Sequence, residues 1–245
     1  MVEPLFRFDG QANAGETITL DGPEGHHAAS VRRLRVGEKL QLTNGVSTHW
    51  RGAVVAVSNK SIDVEISEAK PISKPEQIFI LVQALAKGDR DELAIQAATE
   101  IGVSGVIPWQ SDRSVSKWDD SKATKNQARW QSICDEASKQ ALRPLFVQVG
   151  ERRTSNQLAQ QVGESESKWL VLDPTATKSI TAVSLQGKSS VYLVVGPEGG
   201  ITEKELEAFE ASGAERVHLG AGVLRTSTAG VAALSYLSGV TGVWE

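Results

Sequence analysis

Along the first seventy residues, apolar and β-branched positions come in short runs broken by glycine, asparagine and charge. The runs Pro4–Phe8, Thr17–Leu20, Lys39–Thr43, Val46–Val57 and Ser61–Ile66 read as strands, and Asn44-Gly45 between two of them predicts a two-residue hairpin turn. Pro23–Leu34 is the one helical interlude. Strands this dense predict a small β-barrel, which removes its edges by closing on itself. Ser67–Glu76 then carries two prolines and mixed charge with no apolar period, which places a boundary there, between a domain of residues 1–72 and one of residues 73–245.

From Gln77 the rhythm changes. Apolar runs at Ile78–Leu85, Gly105–Trp109, Phe146–Val149, Trp169–Leu172, Val191–Val195 and Val217–Leu219 alternate with amphipathic stretches at Asp89–Ile101, Ala123–Leu142, Glu203–Ser212 and Ser227–Gly239. Such alternation predicts an α/β domain, a parallel sheet with helices on both faces, whose ligands bind in the loops beyond the strand ends.

Composition narrows the class. Of 245 residues 40% are hydrophobic and 23% charged, which excludes collagen-like, coiled-coil and wholly disordered chains. No apolar run approaches the ~18 residues of a membrane span, and Met1-Val2-Glu3-Pro4 does not resemble a secretory signal, so a cytoplasmic protein is expected. Cys134, the single cysteine, is read as a helix-packing residue.

The net charge of −4 argues against nonspecific coating of nucleic acid. Residues 1–75 hold nine basic and nine acidic side chains, so the acidity belongs to the remainder. Within the neutral part, Arg32, Arg33, Arg35 and Lys39 cluster beside His26 and His27, either as an RNA footprint or as a solvated helix end. The two histidines either stack on a base or pack against the barrel.

Two segments carry candidate chemistry. In Val194–Glu205 a buried strand runs into Gly196-Pro197-Glu198-Gly199-Gly200, and Thr202 with Glu205 has the spacing of a capping box. This predicts a ligand loop on an anchored helix; no Gly-Lys-Ser/Thr follows, so it is not a phosphate-binding P-loop. In Val217–Ala229 a second strand enters a glycine-bearing turn, with Thr226 or Ser227 placed to cap the next helix. Gly220-x-Gly222 lacks both the third glycine and a following ribose-binding acid, so a nicotinamide site is disfavoured. Serine-hydrolase, zinc-protease and paired-cysteine patterns are absent from the sequence.

Together, Gly196-Pro-Glu-Gly-Gly200 and Leu219-Gly-x-x-Val-Leu-Arg-Thr-x-Thr-Ala229 resemble the paired signatures of the SPOUT methyltransferases, in particular the RsmE-type family that methylates N3 of a uridine in 16S ribosomal RNA of the small subunit. His26–Gly37, Gln83–Gln96 and Glu100–Val103 are similar to further segments of that family in the same order. The resemblance implies a PUA-like β-barrel followed by a domain with a deep trefoil knot, a homodimer, and S-adenosylmethionine held by Leu172, Gly196, Pro197, Glu198, Gly199, Gly200, Leu219, Gly220, Val223, Leu224 and Thr226. The RNA side would fall to Arg32, Arg33, Arg35, Arg7, Lys87, Arg90 and Arg143, with Arg113 a further candidate for a phosphate contact. No metal is expected. The chain departs from the family pattern at Ala221-Gly222, where Pro-Arg is common, at Ser227, where Glu is common, at Ala97, where Lys is common, and at Lys139 and Leu142 within a Glu-Gln-x-Gly-Arg pattern.

Uridine N3 carries a proton and is a poor nucleophile until that proton leaves. Arg225 is the candidate catalytic residue, a fixed cation that stabilises the uridine anion, holds a phosphate, or pins the loop in a salt bridge. His218 alternates with apolar neighbours and reads as a packed histidine rather than the base. A noncatalytic RNA-binding protein on a degraded fold, and a methyltransferase acting on another RNA, are the rival readings.

Overall fold

In β5 (Ile62–Pro71), Ile62, Val64 and Ile66 are buried while Asp63, Glu65 and Ser67 turn outward, the two-residue period of a half-covered strand. The same physics runs through β1 (Leu5–Arg7), β2 (Thr17–Leu20), β3 (Lys39–Thr43) and β4 (Thr48–Val57), which join β5 in one curled sheet of order β1-β3-β4-β5-β2. Register shifts at Arg51/Gly52 and Val54/Ala56 bend the β4–β5 pair. Gly52 is required at the first: a Cβ there would lie 2.6 Å from the Glu65 carbonyl oxygen. Phe6, Leu40, Leu42, Trp50, Val54 and the three buried β5 residues fill the interior, each aliphatic side chain contributing about 1.5–3 kcal/mol of burial. The Trp50 indole N–H donates to the Ala12 carbonyl at 2.8 Å.

This computed structural model describes residues 2–244, which divide into two units: residues 2–74 with Ser138–Phe146, and Pro75–Ala137 with residues 147–244. Two expectations in the first unit are corrected. The Asn44-Gly45 connection is a longer loop, because Asn44 Oδ1 accepts from the N–H groups of Val46, Ser47 and Thr48 at 3.1, 2.9 and 3.0 Å, so β4 starts at Thr48 rather than Val46. The helical stretch is shorter and composite: α1 (Gly22–His26) passes into a π turn, His27–Val31, and Arg33 at φ 55° ends it before Leu34.

The second unit is built on β6 (Ile78–Ala84), almost wholly buried on both faces, as a central parallel strand must be. Its sheet has the order β12-β10-β11-β6-β7-β8, every pair parallel, with β7 Gly105–Gln110, β8 Gln148–Val149, β10 Lys168–Leu172, β11 Ser190–Val195 and β12 Glu215–Val217, while β9 (Arg153–Thr154) pairs with β7. Alternate strand residues face two cores. Leu81, Leu170, Leu193 and Val195 meet α2 (Arg90–Ile101), α3 (Asp120–Gln140) and α6 (Thr226–Val240) through Ile95, Trp130, Cys134 and Leu234. Val82, Val171 and Val194 meet α4 (Ser155–Gly163) and α5 (Glu203–Ala211) through Leu158, Leu206 and Phe209. Cys134 is accordingly a packing residue, fully buried.

α4 escaped the sequence reading although Thr154 and Gln157 form a complete capping box at its start. Beyond Gln140 the chain closes a Schellman turn, with Leu142 N–H bonded to the Lys139 carbonyl and Arg143 N–H to that of Ser138. Leu142 takes φ 55° there. In the first unit the following segment is tied to the barrel by Thr43 Oγ1 donating to the Pro144 carbonyl at 2.6 Å, and Lys139 pairs with Glu24 at 2.5 Å.

Candidate active site

The C-terminal ends of β10, β11 and β12, three neighbouring strands, open into one cavity of about 490 Å³. That is within the ~300–1,000 Å³ usual for small-molecule sites. Its walls come from three loops: Leu172–Thr175, Gly196–Ile201 and Leu219–Thr226. Leu172, Val195, Leu206, Val217 and Leu219 make the interior apolar, while Arg90, Arg113, Arg225, Asp173, Glu198 and Glu203 supply the charges.

The β11 loop is held from several directions. Gly200 has φ 74° and returns its N–H to the Pro197 carbonyl at 2.9 Å, a turn that favours glycine. A Cβ on Gly196 would lie 2.6 Å from the Ile201 side chain. Arg113 donates to the Gly199 carbonyl at 3.0 Å, and Glu198 accepts from the Lys87 N–H at 3.2 Å and from Arg90 at 3.3 Å. The capping box read from the sequence is present, with Thr202 and Glu205 bonded reciprocally. Glu205 does more than cap: it also accepts from the Asp112 N–H at 2.8 Å and the Ser155 hydroxyl at 2.6 Å. Burial pushes the Glu205 carboxyl up, yet the bonds from Ser155, Asp112 and Thr202 outweigh it and hold the group below the ordinary glutamate range.

The β12 loop is built differently. Residues 220–225 are exposed. The expectation that Thr226 or Ser227 caps α6 is corrected: the N-cap is Arg225, with no side-chain cap. Thr226 lies within the first turn and donates its hydroxyl to the Gly196 carbonyl at 2.8 Å while accepting from buried Gln83 at 2.9 Å, so its oxygen links two loops instead. Gln83 was part of the sequence resemblance, but no local pattern announced this bond.

The β10 loop carries the pair that sequence reasoning missed. Asp173, almost fully buried, accepts from Arg216 at 2.6 and 2.9 Å and from the N–H and hydroxyl of Thr175. Burial alone would raise the Asp173 carboxyl; the Thr175 N–H and the Arg216 guanidinium more than offset that and hold it below the ordinary aspartate range. Arg216, raised in turn by Asp173, also reaches Glu210 at 3.3 Å and Glu203 at 3.5 Å. Nothing in the local sequence separates Arg216 from a surface arginine on a short strand.

Of the cofactor residues expected from the sequence, Leu172, Gly196, Pro197, Glu198, Gly200, Leu219, Val223, Leu224 and Thr226 line the cavity, together with Arg225. Gly199 and Gly220 lie in the same loops without lining it. The Arg225 guanidinium forms no hydrogen bond or ion pair among the described residues, so it does not pin its loop electrostatically. The His218 ring accepts the Gly220 N–H on Nδ1 at 3.0 Å, which occupies the lone pair a base would use, and its backbone bridges to Lys178 and Ile180. Lys87 and Arg90 belong to this unit, Arg90 being a cavity residue already paired with Glu198. Arg32, Arg33 and Arg35 are exposed on the first unit, where Arg7 pairs with Asp9 and Arg143 follows the Schellman turn. His27 packs edge-on to Phe6 at 5.7 Å. Among the described residues no cluster could hold a metal ion.

An RNA methyltransferase domain model matches residues 73–238, and an RNA methyltransferase PUA domain model matches residues 20–67. The chain belongs to this RNA methyltransferase family. Among its methyltransferase relatives, a Mycobacterium bovis protein named ribosomal RNA small subunit methyltransferase E is 37% identical over 100% of this chain and 95% of its own length. A Bacillus subtilis protein of the same name is 31% identical over 93% and 92%. Among solved structures, ribosomal RNA small subunit methyltransferase E from Neisseria gonorrhoeae, bound to S-adenosyl methionine, matches with a TM-score of 0.84 at 25% identity over 98% of each chain. A Legionella pneumophila structure with bound SAM matches at a TM-score of 0.87 and 28% identity, again over 98% of each.

Against the methyltransferase pattern, two departures gain a physical reading. Position 142, glycine in the pattern, is the left-handed C′ residue of the Schellman turn, which favours glycine on steric grounds and here is filled by leucine. Gly222 is the reverse case: a Cβ there would meet nothing within 4 Å, so the backbone does not require glycine.

Proposed function

We propose that this methyltransferase transfers the methyl group of S-adenosylmethionine to N3 of a uridine in 16S ribosomal RNA. The observation that carries the reading is the one cavity into which the Gly196–Gly200 and Leu219–Thr226 loops converge from β11 and β12, the two parallel strands that flank β10. The names and bound ligand of the relatives and structural neighbours support it.

S-adenosylmethionine suits the lining: apolar Leu172, Leu219 and Leu224 for a flat adenine, and glycine-rich backbone for close polar contacts. When bound, it supplies an electrophilic sulfonium methyl. The overall transfer would convert N3–H to N3–CH₃, with S-adenosylhomocysteine and one proton released to bulk solvent as the other products. The protein aligns the uracil in line with the methyl and excludes water. Arg225, unpaired at the cavity, stabilises the negative charge that deprotonation leaves on the uracil. Backbone groups of Leu172, Gly200, Leu219 and Leu224 hold adenine and ribose, and Thr226 fixes the Gly196 carbonyl.

The first unit grips the RNA through Arg32, Arg33 and Arg35, and reversing the charge of Arg32 and Arg33 lowers the salt dependence of RNA binding without changing cofactor affinity. The substrate is the small ribosomal subunit, the compartment the cytoplasm, the assembly a homodimer, and the C-terminal segment is threaded through the knot that the family resemblance implies. No described helix is long and apolar enough to cross a membrane.

The decisive experiment incubates labelled S-adenosylmethionine with small subunits lacking native modification and identifies the product nucleoside by mass spectrometry. N3-methyluridine is expected; label in any other nucleoside, or none, overturns the assignment.

A further inference from the structure

Every carboxylate lining the cavity is already matched. Glu198 faces Arg90 at 3.3 Å, Asp173 is held by Arg216 at 2.6 Å, and Glu203 reaches the same Arg216 at 3.5 Å. Two guanidiniums remain without an acidic partner among the described residues, Arg225 and Arg113. Arg113 is not loose, however. Its turn is closed by the Ser111 and Ser114 hydroxyls at 3.0 Å and by the Ser114 N–H on the Ser111 carbonyl. The Asp112 N–H is fixed on buried Glu205, and one guanidinium nitrogen of Arg113 rests on the Gly199 carbonyl at 3.0 Å. The remaining N–H donors stay at the exposed rim.

We propose that Arg113 seats a phosphate of the RNA substrate beside the target nucleotide. A preorganised guanidinium with free donors matches a phosphate in the fork geometry that makes arginine its preferred ligand. A sulfonium cofactor in the apolar interior gives no reason for two uncompensated cations nearby, whereas a polyanion at the rim does. The two divide the work: Arg225 meets the developing charge on the base, and Arg113 fixes the backbone that presents it. The same α5 cap that anchors the cofactor loop, Glu205, also aims Arg113, so the cofactor and phosphate sites share one rigid support.

This inference rests on the proposed methyl transfer, and its test reads RNA binding separately from turnover. A carboxylate on the cofactor is the other oxyanion that could take the seat. Arg113→Gln and Arg113→Lys are therefore assayed in the full chain for binding of a small-subunit ribosomal RNA transcript across salt concentrations, and for binding of S-adenosylhomocysteine and of methylthioadenosine, which lacks the carboxylate. Arg113→Gln is expected to weaken RNA binding about tenfold and to lower the logarithmic salt slope by about one, with Arg113→Lys restoring the slope and both nucleosides binding within about threefold of the parent. An unchanged slope overturns the proposal. So does a loss confined to S-adenosylhomocysteine with methylthioadenosine unaffected, which would assign Arg113 to the cofactor. Absence of N3-methyluridine from the parent protein, with the expected binding results intact, would instead strike the proposed reaction and leave the phosphate seat standing.

Discussion

The cavity is entered by two glycine-bearing turns that each lead into a helix, and they are finished in opposite ways. At α5 the helix end is satisfied by its own residues, Thr202 and Glu205, and Glu205 has acceptor capacity to spare for Asp112 and Ser155. At α6 no side chain caps the start, because the Thr226 hydroxyl is committed to the Gly196 carbonyl and the Ser227 hydroxyl makes no hydrogen bond among the described residues. The first turn is a fixed wall. The second presents exposed side chains, Val223, Leu224 and Arg225, to whatever enters. Under the proposed function the division suits both ligands, since rigidity preorganises the cofactor and an open rim accepts the polymer.

The comparison breaks most visibly at the open turn. Arg225→Ala should lower single-turnover methyl transfer at least about 100-fold while S-adenosylmethionine affinity, read by calorimetry, stays within about tenfold. Undiminished transfer would remove Arg225 from the chemistry.

At the fixed turn the cost is in stability. Glu205→Ala removes the buried acceptor shared by the part-buried donors of Asp112, Ser155 and Thr202 and should cost about 3 kcal/mol by urea unfolding, against about 1 kcal/mol for Thr202→Ala. The pH dependence has a definite sign. Because the folded protein holds Glu205 below the ordinary glutamate value of 4.5, its contribution is complete above that value and is lost as pH falls through the folded value. Glu205→Gln should therefore flatten the acid limb of the stability curve below about pH 5; an unaltered limb would mean that other carboxylates govern acid unfolding.

The bridge between the turns is smaller again. Thr226→Val removes the hydroxyl that joins Gln83 to the Gly196 carbonyl and should cost about 2 kcal/mol, with a matching fall in cofactor affinity. A stability loss with unchanged affinity would show that the link serves the fold alone. Smallest is Ser227→Glu, which places an acid in the first turn of an uncapped helix and should raise stability by about 0.5 kcal/mol, readable as a shift of the thermal midpoint.

Several features were legible from the chain because they depend on neighbours in sequence. The Thr202–Glu205 box, the apolar runs of β6, β10 and β11, and the glycines of the β11 loop each announce a local requirement: orphan N–H groups, burial on both faces, or a positive φ. The Thr154–Gln157 box belonged to the same class and went unread. The resemblance to the SPOUT signatures pointed to the family that the domain models then matched. What stayed hidden depends on partners far along the chain. Thr226 looked like a cap because its sequence neighbours allow one, but Gly196 and Gln83, brought beside it by β11 and β6, compete for the same hydroxyl.

The sequence by itself determined the two kinds of sheet, the helix that follows the first glycine loop, and which strand-end loops would line the cavity, since each follows from periodicity and local hydrogen-bond supply. Only the tertiary structure decided how the charges pair. Arg216 is taken up by Asp173 and Arg90 by Glu198, while Arg113 and Arg225 are left facing the cavity. Ion pairing acts over a few ångströms of space rather than along the chain, so a count of arginines and acids fixes the net charge but not which cations remain free to meet a ligand.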